Sequence, residues 1–244
     1  MKSTATRRAV LLAAATGTAL FSPWATAAID QDDSRRNEDR GPGEEKAVGS
    51  VEDLMREHGV LRRILLVYDQ SADRLRSGKA VDLTQLNKAA RLFRSFGEDY
   101  HARMLEEAFI FPTLRKNRGP AASYPDILTA QHQRGRKITD YILEATARKN
   151  LSSSRAAVLA HTFDGFVSMY NNHSAREDTL VFPAWKQALA ESQLDELGDR
   201  FEEIEQQQFG KEGFDDVVEQ VAAIETALGY ADLSQFTAPM PPSA

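Results

Sequence analysis

The sequence predicts an all-α protein, an antiparallel up-down-up-down four-helix bundle with short extra helices at its C-terminal end. Apolar residues recur at helical spacing from Ser50 to about Gly229, and no stretch of any length alternates as a strand does. The four main helices also form two similar halves. A repeat of helical hairpins joined by short loops gives a bundle of this topology.

The composition limits the functional classes. A chain of 244 residues with 42% hydrophobic and 27% charged residues is long enough for one sizeable bundle or two small domains. Its formal net charge of −6 argues against nucleic acid or an anionic membrane surface as the main partner, since both attract a basic face. The absence of cysteine excludes disulfides, iron–sulfur clusters and thiolate sites, so any metal must be held by nitrogen and oxygen atoms.

Residues 1–27 are predicted to be a signal peptide rather than part of the fold. The pair Arg7-Arg8 precedes the apolar run 9–21, and the small residues at 25–27 form a cleavage pattern. The paired arginines favour twin-arginine export. The general secretory route is the alternative, because the usual phenylalanine and lysine after the pair are absent. Since the apolar run is too short to span a bilayer comfortably, we expect a periplasmic or secreted protein without a stable membrane span after cleavage.

The remaining chain divides by composition. Residues 28–49 are polar, charged and contain glycine and proline, which predicts a disordered linker. The bundle is predicted to occupy residues 50–229, where two shorter helices, near 191–207 and 214–228, follow the four main ones. Residues 230–244 contain three prolines and are predicted to be a disordered tail.

The first predicted helix covers about residues 51–75, with Ser50 in position to cap its N-terminus. The second follows the capping residue Asp82 and is predicted to end at Ile110, because Pro112 cannot continue a helix. Each helix has one apolar stripe. The stripe residues are Val51, Leu54, Leu61, Leu65 and Tyr68 on the first helix, and Leu86, Phe93, Met104 and Ala108 on the second.

The third predicted helix begins at Ser123 with Pro125 in its first turn, where proline is favoured. The fourth begins near Ser154, and Pro183 predicts a kink or an end. The stripe residues are Leu128, Ile138 and Ile142 on the third helix, and Leu159, Phe166, Tyr170, Leu180 and Val181 on the fourth.

Each main helix carries one histidine on its apolar stripe: His58, His101, His132 and His173. The separation is 43 residues in the first pair and 41 in the second. A single histidine on an apolar face is usually a core residue with satisfied nitrogens. Four in matching places are different, because an apolar interior offers few partners for so many ring nitrogens. A shared metal ion satisfies them all, so the pattern predicts a metal site.

Two glutamates complete the predicted site. Glu177 lies four residues after His173, so both project from one helix face. Glu106 lies five residues after His101 and Glu107 six, and a π-type widening would bring Glu106 round to the histidine face. We favour Glu106 because it, like Glu177, lies five residues before a phenylalanine that is followed by proline. The alternative is that Glu106 and Glu107 are solvated surface charges.

These residues occur in recognisable motifs: REHGVLR at 56–62, YH at 100–101, EE at 106–107, QH at 131–132 and HSARED at 173–178, with Phe-Pro at 111–112 and 182–183. Together they resemble the bacterial hemerythrin-like (HHE cation-binding) domains over about residues 50–229. The resemblance implies an antiparallel four-helix bundle around a non-haem iron centre, often di-iron, with zinc or manganese as alternatives. The implied ligands are His58, His101, Glu106, His132, His173 and Glu177, with the glutamates as bridges.

The sequence departs from related patterns in two places. The oxygen-carrying hemerythrins have a His-x-x-x-His pair on the third helix, whereas the position four after His132 is Arg136, which puts reversible oxygen carriage in doubt. A ferritin-like di-iron site needs Glu-x-x-His on two helices. Glu98 supplies one, but the matching position before His173 is Tyr170. The fifth histidine, His161, lies off the ligand face and is predicted to be on the surface or behind a ligand.

Three functions fit such a centre. It binds or senses dioxygen, nitric oxide or iron outside the cytoplasm; it turns over peroxide or nitric oxide at an open metal position; or it is a structural zinc bundle. No nucleophile–base set or phosphate-cradling glycine loop is present in the sequence. We therefore favour ligand binding over catalysis, and the sequence leaves the oligomeric state open.

Overall fold

Helices make up nearly all of the regular structure in this computed structural model, which describes residues 48–210 and 213–242. Within those residues there is no strand, as the sequence predicts. The expected signal peptide, and the expected linker up to residue 47, lie outside the described part of the chain. None of the described helices is both long and apolar enough to cross a membrane.

The first helix, α1, covers Ser50–Arg76. Its N-cap is Gly49 in an extended conformation, and no side chain caps it, so Ser50 is the first helical residue and not the cap that the sequence predicts. The acidic residues Glu52 and Asp53 in the first turn complement the positive end of the helix dipole. They compensate for the missing side-chain cap.

The second helical run is continuous but changes its hydrogen bonding. It consists of α2 (Leu83–Leu92), the π-helical segment π1 (Phe93–Ile110) and α3 (Phe111–Asn117). Asp82 caps it as predicted, accepting a bond from the backbone nitrogen of Thr84 at 2.8 Å. Pro112 does not end the helix, because its ring occupies the first turn of α3, where the missing N–H is tolerated.

The third and fourth runs follow the same plan. A short 3-10 turn leads into α4 (Tyr124–Thr146), which has Pro125 in its first turn as predicted. The fourth run consists of α5 (Ser153–Arg176), the π-helical segment π2 (Glu177–Val181) and α6 (Phe182–Gln187). Pro183 lies in the first turn of α6, so the helix passes through it just as the second run passes through its own proline.

Two residues assigned to apolar stripes are not in the core. Ala108 is exposed, and Leu180 is 45% exposed. Both lie in the π-helical segments, where each turn contains an extra residue and the face that points inward is therefore shifted. Close to them, Leu105 and the predicted stripe residue Val181 are buried.

The C-terminal helices α7 (Glu191–Phe209) and α8 (Gly213–Leu228) pack against α1 and the second run. Both were predicted within a few residues. The described part of the expected tail begins with Tyr230, which is buried and lies 3.4 Å from the Ser71 hydroxyl. A 3-10 turn, Leu233–Phe236, and exposed chain follow.

The apolar core fixes the helices on one side of the four histidines. Phe93 of π1 and Phe166 of α5 meet edge to face with ring centres 4.9 Å apart. Tyr170 contacts both rings and also lies 5.4 Å from the His173 ring. Interlocked aromatic rings of this kind hold the backbone rigidly. The histidines therefore project from supports that move little.

Candidate metal centre

The four histidines predicted from the sequence lie in one buried cluster, each contributed by a different helical run. None is more than 3% exposed. They form two pairs that point their Nε2 atoms at each other. The Nε2 atoms of His58 and His101 are 3.0 Å apart, and those of His132 and His173 are 3.1 Å apart.

Two buried glutamates lie between the two pairs. Glu106 has Oε1 3.3 Å from the Nε2 of His101 and Oε2 3.3 Å from that of His132. Glu177 has Oε1 3.0 Å from the Nε2 of His173 and Oε2 3.5 Å from that of His58. Each carboxylate therefore gives one oxygen to each histidine pair. The cluster consists of two similar positions joined by two carboxylates.

The π-helical segments explain how different spacings give the same placement. His101 and Glu106 both lie inside π1, where residues five apart share a face. His173 lies in α5, where residues four apart share a face, and Glu177 comes immediately after that helix. The widening expected from the sequence near Glu106 is present, and it extends over all of π1.

The donor atoms of the cluster fit a cation. Within the described part of the chain, no group donates a hydrogen bond to any of the four carboxylate oxygens of Glu106 and Glu177. Unpaired buried oxygens of this kind cost several kcal/mol each. Two atoms bound at right angles to one ion at about 2.1 Å lie about 3.0 Å apart, and the histidine pairs show that separation.

The outer nitrogen of every histidine is held by a neighbouring side chain. The Nδ1 of His58 lies 2.7 Å from Asp178 Oδ1, and that of His101 lies 2.5 Å from Glu57 Oε2. In the other pair, the Nδ1 of His132 lies 2.8 Å from Glu107 Oε1, and that of His173 lies 2.8 Å from Gln131 Oε1. Because these oxygens accept the Nδ1 proton, each neutral ring turns a lone pair inward at Nε2. In two neutral rings, lone pairs 3 Å apart repel each other unless a proton or a cation lies between them.

Two arginines support this outer layer at equivalent places. Arg62, four residues after His58, pairs with Asp178 Oδ2. Arg136, four residues after His132, pairs with Glu107 Oε1 at 2.6 Å. The position that holds a histidine in the oxygen carriers therefore holds a guanidinium group that restrains the partner of His132.

The pKa shifts describe a cluster of opposed charges. Burial acts to lower the pKa of His101, but the Glu106 and Glu57 carboxylates outweigh it and hold that pKa well above its usual value. Burial and the nearby His132 lower the pKa of His173 to about 3. Burial, reinforced by Glu106, raises the pKa of Glu177 well above its usual value. Without a cation, two carboxylates this close and this dry do not both ionise easily.

A cavity of about 20 Å³ adjoins the cluster. Its walls include histidines of both pairs and Glu106, together with apolar side chains and Tyr170. A space of this size holds a group about as large as a water molecule. The apolar lining residues are Leu61, Leu65, Phe93, Gly97 and Ala102.

Two other residues considered in the sequence lie outside the cluster. His161 is exposed on α5, as predicted. Glu98 does not reach the histidines, because its carboxylate accepts a bond from Thr139 at 2.7 Å and lies 2.7 Å from Arg94. This geometry argues against the ferritin-like pattern, which needs that glutamate as a ligand.

A row of polar side chains in contact connects the cluster to the C-terminal helices. The Tyr100 hydroxyl donates to Glu57 Oε1 at 3.0 Å, and Glu57 in turn holds His101. The same hydroxyl lies 3.5 Å from Glu205 on α7, whose other oxygen accepts from the backbone of Phe214 on α8 at 2.7 Å. The C-terminal helices are therefore part of the support of His101.

The sequence reasoning did not identify the partners of the outer nitrogens. Glu57, Glu107, Gln131 and Asp178 each lie directly before or after one of the six cluster residues. A neighbour on a helix points about 100° away, toward the adjacent helix and its histidine. The carboxylate or amide beside four of the six candidate ligands was the signal that could have revealed them.

Comparisons with known proteins agree with this geometry. The family model described as "Hemerythrin HHE cation binding domain" matches residues 49–185. Uncharacterized proteins of Mycobacterium bovis and of two Mycobacterium tuberculosis strains are each 38% identical over 232 residues, covering 95% of this chain and 90% of theirs. No solved structure matches the chain.

Proposed function

Because this chain belongs to the hemerythrin HHE cation-binding family, we propose that its buried cluster binds two iron ions. His58 and His101 would hold one ion, and His132 and His173 the other. Glu106 and Glu177 would each direct one carboxylate oxygen to each ion. The helices that carry these ligands form the antiparallel up-down-up-down bundle that the family resemblance implies.

One observation carries the proposal: each glutamate has its two oxygens directed at different histidine pairs, at 3.0 to 3.5 Å from the Nε2 atoms. A site for one ion needs only one such pair and one carboxylate. Two pairs joined by two carboxylates are what two ions need. Mixed imidazole and carboxylate ligands suit iron, and zinc and manganese are the competing ions.

Bound iron would supply open coordination positions for a small electron-rich ligand. The chain's own residues set the limits of that binding. Four protein atoms per ion leave room for further ligands, and the cavity beside the cluster admits only a few atoms. Its wall is mostly apolar. The protein therefore binds or senses dioxygen or nitric oxide. Arg136 in place of a carrier's histidine argues against reversible oxygen carriage as the main role.

The metal test is analysis of the purified chain after expression in iron-replete medium. We expect about two irons per chain and an absorption spectrum of oxo-bridged iron in the near ultraviolet and visible. Stoichiometric zinc without iron would support the structural zinc bundle instead, and one iron per chain would contradict the paired site.

The ligand test is anaerobic titration of the reduced iron protein with nitric oxide, and separately with dioxygen. Saturable spectral changes with retention of the iron would support a binding or sensing role. Continued consumption of nitric oxide over many turnovers, or of hydrogen peroxide added in a separate assay, would show that the same centre is an enzyme.

We also propose that the protein is exported through its N-terminal signal. The supporting observation is the arginine pair before an apolar run and a small-residue cleavage pattern. Replacing Arg7 and Arg8 by lysine should leave the precursor in the cytoplasm if the twin-arginine route is used. Unchanged export of that variant would indicate the general secretory route.

A further inference from the structure

The two positions of the cluster have the same inner donors but different surroundings. We call His58 and His101 with one oxygen of each glutamate the first position, and His132 and His173 with the other oxygens the second position. In the first position both outer nitrogens face carboxylates, those of Asp178 and Glu57. The second position has one carboxylate and one neutral amide.

The neutral amide belongs to Gln131. It occupies the place in the second half that Glu57 occupies in the first, directly before the histidine of its helix. Each side chain accepts a hydrogen bond from the outer nitrogen of the histidine on the following helical run. Glu57 lies 2.5 Å from His101 Nδ1, and Gln131 lies 2.8 Å from His173 Nδ1. A carboxylate makes the ring a stronger donor to a metal and adds a negative charge, whereas an amide does neither.

The arginines increase the difference. Arg62 pairs with one oxygen of Asp178 and leaves the other to His58, and the side chain of Arg62 is 43% exposed. Arg136 pairs with the same oxygen of Glu107 that holds His132, and its side chain is only 13% exposed. The charge of Arg136 is therefore less screened by water and competes directly for the oxygen that supports His132.

We propose that the first position holds its metal ion more tightly than the second, and that Gln131 sets most of this difference. This inference rests on the proposed function, because it takes two ions as given. Behind its histidines, the first position has the carboxylates of Asp178 and Glu57 and the partly solvated Arg62. The second has one carboxylate, which is shared with the less exposed Arg136. A single outer partner of a metal-binding histidine changes affinity by about 10 to 100-fold.

The consequence is a centre with one resident ion and one exchangeable ion. As free metal falls, the second position empties first and opens the inner faces of His132 and His173 to whatever enters the cavity. The half-loaded protein is therefore the main species over an intermediate range of free metal.

The experiment is a titration of the metal-free full chain with Co²⁺ against a competing chelator, followed by the visible absorption of the bound ion. We expect two binding steps separated by at least about tenfold in affinity. His101→Ala should remove the tighter step and His173→Ala the weaker one, which assigns each step to its position.

Gln131→Glu should tighten the weaker step by about tenfold or more and bring the two steps together. The matched control is Gln133→Glu, which adds the same charge at an exposed place two residues away and should leave both steps unchanged. Glu57→Gln should weaken the tighter step by a similar factor. The double exchange, Glu57→Gln with Gln131→Glu, should reverse the order in which metal fills the two positions. Circular dichroism shows whether each variant is folded.

Two equal steps in the parent chain, or the same titration for Gln131→Glu and Gln133→Glu, would overturn the inference while leaving the paired site intact. Saturation at one ion per chain would instead overturn the proposed function, and this inference with it.

Discussion

The two halves of the cluster, contributed by residues 57–110 and 131–181, arrive at the same inner arrangement by different local geometry. In the first half the ligand histidine and glutamate are five residues apart inside π1, and in the second they are four apart at the end of α5. The helix widens where the sequence has one residue more. The histidine and the glutamate therefore face the cluster in both halves, because the wider helix compensates for the additional residue between them.

The side chains behind the ligands, in contrast, differ between the two halves. Glu57 corresponds to Gln131, and Glu98, three residues before His101, corresponds to Tyr170, three residues before His173. Both substitutions exchange a carboxyl group for a neutral side chain. The two halves thus share the same inner donors but place different side chains behind them.

The largest expected effect tests the equivalence of the inner donors. Glu106→Ala and Glu177→Ala should each reduce iron from about two ions per chain to almost none, because each glutamate supplies both positions. Each should also lower the melting temperature of the iron-loaded protein, since metal that binds only the folded state stabilises it by a few kcal/mol. Metal analysis and thermal unfolding measure the two effects.

The control for both variants is His161→Ala, which removes an exposed histidine from the helix that carries His173 and should change neither quantity. If one glutamate variant kept both ions while the other lost them, the two halves would not be equivalent. In that case the glutamate that could be removed without loss is not a bridge.

A smaller effect tests the difference between Glu98 and Tyr170. Burial raises the pKa of Glu98 from 4.5 to about 7, although Thr139, Arg94 and Arg136 act to lower it. The folded chain therefore holds this proton more tightly than the unfolded chain. Its contribution to stability is fully present below pH 4.5 and is lost as the pH rises to about 7.

Glu98→Gln should reduce the change in the free energy of unfolding between pH 4.5 and about 7, by at most about 3 kcal/mol. Urea unfolding of the metal-free protein at several pH values measures it. Tyr170→Phe, at the corresponding place in the second half, should keep the slope of the parent, because burial holds the pKa of Tyr170 well above this range. If Glu98→Gln and the parent showed parallel profiles, Glu98 would not be the group whose raised pKa causes this pH dependence.

The smallest effect concerns two glycines that allow close packing. A Cβ at Gly135 would collide with the Tyr170 hydroxyl, whereas a Cβ at Gly97 would meet the flexible end of Leu61 at 2.8 Å. Gly135→Ala should cost about 1 to 3 kcal/mol of the free energy of unfolding, and Gly97→Ala less than that. Both values come from urea unfolding.

Gly165→Ala is the reference for these two variants. Gly165 lies in α5 with nothing within 4 Å of an added Cβ, so the substitution should stabilise the protein by up to about 1 kcal/mol. Removing the hydroxyl with Tyr170→Phe should restore part of the loss caused by Gly135→Ala. An unchanged loss in the double variant would show that the collision lies elsewhere.

Much of this structure could be predicted from the sequence, because helix spacing and buried histidines leave few alternatives. The helices were placed within a few residues, apart from the continuation past Pro112 and Pro183. All six candidate ligands lie together in the structure. Ala108 and Leu180 were misplaced because apolar periodicity assumes 3.6 residues per turn, and this chain departs from it beside the cluster.

The outer layer could not be predicted with the same rules. Whether Glu57 or Gln131 meets a histidine on another helix depends on how the helices are rotated against each other, and spacing within one helix contains no such information. Glu205 is harder still, because it reaches the cluster only through Tyr100 and Glu57. These contacts are properties of the packed molecule.

The contacts from His101 through Glu57 and Tyr100 to Glu205 extend the support of the cluster into a part of the chain that the family model does not match. The family match ends at residue 185, yet the mycobacterial relatives are similar over 95% of this chain. A gene that kept the four histidines but exchanged α7 would lose the carboxylate beside Tyr100. Recombination at the end of the matched region would therefore separate side chains that lie against one another in this structure.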